Sequence, residues 1–142
     1  ADSGIYQGAI SPDSKTLRNT LYVLDYGKLT VLHLGKISSV PSQSLIESLG
    51  NINIALVPVG EADALNASKA AEVISMLEPN IVIPMHYETP HSKLGLDPLS
   101  KFLKEMGITT LETMETYKVA SNTAFPEEET HVIALDPKLA SL

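Results

Sequence analysis

Hydrophobic and polar positions alternate along this chain in two distinct rhythms. Thr20-Leu21-Tyr22-Val23-Leu24 and Leu29-Thr30-Val31-Leu32-His33-Leu34 are β-rich runs flanking Asp25-Tyr26-Gly27-Lys28, a pattern that predicts a hairpin. Ile54-Ala55-Leu56-Val57-Pro58-Val59 and Ile81-Val82-Ile83-Pro84-Met85-His86 are continuous apolar runs, as strands buried on both faces require. Between them, Ala67, Ala70, Ala71, Ile74 and Leu77 recur at helical spacing, with Asn66 as cap and Pro79 as stop. An earlier short helix has Ser42 as N-cap, a competing capping box from Ser44 to Glu47, and Gly50 as its C′ residue. A later helix is expected from Asp97 as N-cap and Pro98 at its first position. Its apolar face is Leu99, Phe102, Leu103 and Met106, and Gly107 terminates it. The tail predicts a weak strand near Tyr117-Lys118-Val119 and a better one over His131–Leu135. Residues 1–18 read as a loop-rich entry segment with a short strand near Ile5-Tyr6.

Buried strands alternating with amphipathic helices describe a helix-covered sheet, hence an α/β (α+β) class, in one domain spanning residues 1–142. Function in such sheets gathers at the carboxyl ends of the strands. Gly35, Gly60 and His86 all stand at such ends.

Composition narrows the chemistry. A formal charge of -7 lacks the basic footprint that nucleic acid or an anionic membrane would need. With no cysteine, disulfides, thiolate nucleophiles and Cys-based zinc sites are excluded, and a cytoplasmic setting is expected. The apolar runs are too short to span a bilayer, and the first residues carry no basic-then-apolar leader. No initiator Met opens the sequence, so a processed chain or a piece of a longer product is expected. No phosphate-binding loop, dinucleotide fingerprint or nucleophile elbow occurs.

Four histidines are available, with neither H-x-x-x-H nor H-x-H spacing. His86, after an apolar strand and a Pro, is the best metal-ligand candidate; its plainer reading is a strand-end imidazole bonded to backbone. Alternation puts His33 on the face opposite Leu32 and Leu34, where a structural role is expected. His131 opens a terminal strand and reads as structural. His91 lies in a Pro-flanked loop, exposed but within reach of His86. Glu61 and Asp63 follow the Gly60 turn, as metal-rim acids or as a solvated loop favouring the next helix through its dipole. Lys36, after Gly35, is either an anion-binding ammonium or a solvated one.

Taken together, His33-Leu34-Gly35-Lys36, Val57-Pro58-Val59-Gly60 and Ile81-Val82-Ile83-Pro84-Met85-His86-Tyr87 resemble blocks of the prokaryotic metallo-β-lactamase-fold metal-dependent hydrolases. The likeness is to the group related to the ascorbate-6-phosphate lactonase, whose members read "HLGD", "IPVGG", an "IDA" helix start and "IVIPMHY". It runs from about Asn19 to about Asp136. The resemblance implies the C-terminal half of an αββα sandwich and a divalent metal, Zn or Mn, that activates water for hydrolysis. It also implies that His86 is a metal ligand.

Departures accompany the match: "VGG" becomes Gly60-Glu61, the "IDA" Asp becomes Asn66, which still caps, and two more bear on the metal. Lys36 occupies the position of the bridging Asp, where a cation would sit beside two cations. The middle His would fall around Gln7-Gly8, where none stands. The H-x-H-x-D-H signature of the other half is missing. The implied outcome is impaired or absent two-metal hydrolysis, with metal weak or absent. The alternative is a non-catalytic binding or interaction module. Half a sandwich would also bare the inner face of its sheet, so a homo-oligomer or a complementary N-terminal half is expected to cover it. A salt bridge from Lys36 to Glu61 or Asp63 is the expected replacement for the metal.

Overall fold

A computed structural model describes residues 4–62, 65–91, 94–109, 111–120, 123–125 and 129–136, apart from 11–19, with residues 4–10 described by backbone alone. Its centre is a seven-stranded sheet in the order β1-β2-β3-β4-β5-β7-β6. The strands are β1 (Gly4–Ile10), β2 (Thr20–Asp25), β3 (Thr30–His33), β4 (Ile54–Pro58), β5 (Ile81–Met85), β6 (Glu112–Met114) and β7 (His131–Leu135). The first three strands pair antiparallel; β3-β4, β4-β5, β5-β7 and β6-β7 pair parallel. Three helices, α1 (Gln43–Leu49), α2 (Ala67–Leu77) and α3 (Leu99–Met106), occupy connections after β3, β4 and β5, as parallel pairing requires.

All three helices pack on one face. Leu32, Leu34, Ala55, Val57, Val59, Val82 and Val132 point into a core shared with Ile46, Ala70, Val73, Ile74 and Phe102. The alternate residues Ile54, Ile81, Ile83 and Ile133 form a second cluster on the other face. This two-residue period is why the buried strands read as unbroken apolar runs: each face has its own partner.

Local signals settle most helix ends. Ser42 Oγ accepts from Leu45 N–H at 3.3 Å, so Ser42 caps α1 and the Ser44 alternative is not used. Asn66 Oδ1 accepts from Lys69 N–H at 3.0 Å and caps α2. Helix α2 ends on Glu78, at φ 49 and ψ 51, just before Pro79. A left-handed residue frees the chain to turn before the proline.

Three expectations need correction. Asp97 does not cap α3: Pro98 is the N-cap, without a side-chain cap bond. The Asp97 carboxylate reaches Lys101 at 3.3 Å instead, and its backbone is tied to Gly60 and Glu88. The entry segment is not simply loop, since β1 is a seven-residue strand antiparallel to β2. Tyr117-Lys118-Val119 forms no strand. Tyr117 and Val119 lie instead with Phe125 over the second cluster, and the tail's first strand is β6.

That tail changes the expected bare face. Met114, Tyr117, Val119 and Phe125 pack against Ile54, Ile81, Ile83 and Ile133, so the chain itself covers part of the sheet's second side. Toward β2 the cover by the described residues thins, and Tyr22 is 45% exposed.

Candidate functional site

The carboxyl ends of β3, β4 and β5 meet at one rim. Parallel register places His33 opposite Leu56, Leu56 opposite Ile83, and Pro58 opposite Met85. Backbone bonds extend the pairing just past the strands: Leu34 N–H donates to Leu56 O at 3.2 Å, and Val59 N–H to Met85 O at 3.0 Å. The next residues on the three strands are therefore neighbours. They bring Lys36, Glu61 and His86 together.

Glu61 is the middle member. Its Oε1 lies 3.9 Å from Lys36 Nζ and 3.8 Å from His86 Nδ1. Both separations exceed hydrogen-bond length, and the Lys36 contact is an ion pair. The expected Lys36–Glu61 ion pair is present. Lys36 is 76% exposed, which screens its attraction for the carboxylate and makes the pair weak as a stabilising force.

His86 is unusual twice over. Its φ is 52, in the left-handed region. Its Nδ1 is shut off from solvent and has no hydrogen-bond partner, although part of the ring is exposed. Strained backbone and an unsatisfied buried polar atom both cost free energy. Their coincidence on one residue marks the rim as a site. Tyr87, the next residue, has its phenol pKa raised by burial and then by the negative charge of Asp136.

The remaining candidates fall elsewhere. His33 Nδ1 accepts the Gly35 N–H at 3.0 Å, so that nitrogen is committed to the turn leading to Lys36. His131 begins β7 and pairs with Ile81 at the far end of the sheet, with Glu129 Oε1 4.0 Å from its Nε2. His91 is exposed in the loop after β5. Asp63 lies outside the described residues. Among the described residues, no group of three or more His, Cys, Asp or Glu could hold a metal ion.

A hollow of about 740 Å³ opens at the opposite end of the sheet, lined by Asn51, Ser75, Glu78, Glu105 and Glu129 among others. It contains no unpartnered buried polar atom among the described residues. Size alone does not make it the site; the unsatisfied chemistry is at the other end.

Two features of the rim escaped the sequence reading. His86 was legible as a strand-end residue, but its backbone conformation was not. The sequence predicts Gly60 as a strand end, whereas its lack of a side chain is what admits the His86-Tyr87 backbone.

Known proteins resemble the chain in both sequence and shape. The family described as "Beta-lactamase superfamily domain" matches residues 5–86, more than half of the chain. A UPF0173 metal-dependent hydrolase of Desulforamulus reducens is 35% identical over 68 residues, covering 48% of this chain and 30% of that protein. One of Methanopyrus kandleri is 28% identical over 102 residues, covering 68% and 44%. The chain thus spans less than half the length of these curated relatives. A metallo-beta-lactamase superfamily protein of Thermotoga maritima superposes with a TM-score of 0.75 at 26% identity, covering 96% of this chain and 71% of that one. A metallo hydrolase of Ignicoccus hospitalis shares the fold, with a TM-score of 0.52 at 22% identity over 74% of this chain and 45% of that one. No helix among the described residues is long and apolar enough to cross a membrane.

Proposed function

This chain belongs to the beta-lactamase superfamily domain family, and from that premise we propose that it is a hydrolase-like member in which two-metal hydrolysis is impaired or absent. The observation that carries the reading is the Lys36 ammonium, 3.9 Å from Glu61 Oε1, at the rim where the family resemblance calls for a bridging carboxylate.

The donor set argues the same way. Zinc takes three or four His, Cys or carboxylate ligands. Among the described residues, the rim supplies one imidazole and one carboxylate, with the Lys36 ammonium beside them. A divalent metal would supply an activated water, and the unpartnered Nδ1 of His86 is a competent single donor. One such donor and Glu61 do not fit a dinuclear centre, so no hydrolytic step is assigned to these residues. Zn or Mn, the ions implied by the resemblance, would bind weakly here, through His86.

A second reading is favoured by the sheet face near β2. Tyr22 is 45% exposed there, on the side away from the helices. A partly covered sheet face suits an interaction module that pairs with a second copy or with a complementary N-terminal half.

Metal content of the purified chain, measured by mass spectrometry after incubation with Zn or Mn, tests the main reading. Well under one equivalent is expected, with no turnover of lactones or phosphodiesters. Lys36→Asp should raise Mn affinity by removing the ammonium and adding a carboxylate. Two equivalents in the unmodified chain would end the proposal. Sedimentation at micromolar concentration, with the chain alone and with an N-terminal half added as a separate chain, tests the second reading, which requires a dimer in the first case or a stoichiometric complex in the second.

A further inference from the structure

We propose that Gly60 is the positioning residue of this rim: its missing side chain lets the His86-Tyr87 backbone lie against the end of β4, and that contact sets where the His86 imidazole stands relative to Glu61. The inference rests on the reading that the Lys36–Glu61–His86 rim is the functional site.

A Cβ placed on Gly60 would come 2.5 Å from His86 O, 2.9 Å from Asp97 O and 2.9 Å from Tyr87 Cα. All three are backbone atoms, so no side-chain rotation relieves the clash. They come from both ends of the 86–97 loop. Two hydrogen bonds draw those ends to the same point. Asp97 N–H donates to Gly60 O at 2.9 Å, and Glu88 N–H donates to Asp97 O at 2.9 Å. With Val59 N–H on Met85 O at 3.0 Å, the loop is clasped to the end of β4 from both sides.

The clasp accounts for the conformation of His86. At φ 52 an L-residue is strained, and it persists only where its surroundings leave no alternative. A chain leaving β5 must turn sharply to put His86 O and Tyr87 Cα over Gly60. The residue after Gly60 is Glu61, whose carboxylate faces Nδ1 of His86 at 3.8 Å. One close approach thus places both members of the pair. It needs no side chain at position 60, and it fixes the Asp97 backbone just ahead of α3.

The test uses the full chain. In Gly60→Ala, the His86 ring signals in ¹H–¹³C NMR at one fixed pH should move, and hydrogen exchange at the Glu88 and Asp97 amides should quicken at least about tenfold, the free-energy change being read as that ratio. Exchange at Thr30, at the other end of the sheet, should not change. Ring signals and both amides unchanged in a folded Gly60→Ala would overturn the proposal. His86→Gly against His86→Ala decides the matter even where Gly60→Ala does not fold. The glycine variant should melt about 5 °C higher, because only glycine is unstrained at this φ. Equal melting temperatures would overturn the clasp. Stoichiometric metal in the unmodified chain would sink the proposed function while leaving these readouts standing.

Discussion

The two ends of the parallel strands treat their polar groups in opposite ways. At the amino end, Asn53 Oδ1 accepts the Thr30 N–H at 2.9 Å while its Nδ2 donates to Asn80 Oδ1 at 3.0 Å. Asn53 O accepts Ile81 N–H, Asn80 O accepts His131 N–H, and the Thr130 hydroxyl donates to Pro79 O at 2.7 Å. Strands β3, β4, β5 and β7 are laced together by short bonds. At the carboxyl end, the contacts of Glu61 with Lys36 and His86 are 3.8 to 3.9 Å long and one buried nitrogen is unpaired. The first end carries the fold. The second bears unspent cost, which is where a site is sought.

The sharpest way to break this contrast is at Asn53. Asn53→Leu strips partners from the Thr30 N–H and the Asn80 amide, and should cost about 2–3 kcal/mol in urea unfolding with m unchanged. A loss under about 1 kcal/mol would mean the amino-end lacing is ornamental. Thr130→Val removes one bond of the same lacing and should cost about 1 kcal/mol. Smaller effects, confined to high pH, are expected from two phenols. Tyr87 is raised by burial and then by Asp136; Tyr117 is raised by burial and then by Glu112. Above the ordinary tyrosine value of 10.0 the unfolded chain loses these protons while the folded chain keeps them. Ionisation therefore favours unfolding, and the stability present below that value is lost as pH rises through the folded pKa. Tyr87→Phe and Tyr117→Phe should each flatten the alkaline limb of the stability curve; an unchanged limb would contradict the burial assigned to them. Smallest of all, Lys36→Met should alter stability by no more than about 0.5 kcal/mol, since the ammonium is mostly in water. A loss near 2 kcal/mol would make the rim pair a structural element like the amino end.

What the amino-acid order determined by itself is local. Apolar runs over Ile54–Val59 and Ile81–Met85, the stripe through Ala70, Ile74 and Leu77, and the caps Ser42 and Asn66 were all readable, because each depends on side-chain period or on atoms a few residues away. Alternation also placed His33 away from Leu32 and Leu34, as found. Tertiary structure decided the rest. Lys36, Glu61 and His86 are separated by 25 residues at each step of the sequence, and strand register makes them neighbours. The Asp97 carboxylate meets Lys101 and its backbone bonds Gly60 and Glu88 instead of capping, Tyr117, Val119 and Phe125 pack onto the sheet instead of joining it, and His86 takes a left-handed turn over Gly60. Side-chain period fixes which way a residue points; only the packing of distant backbone segments fixes what it meets there.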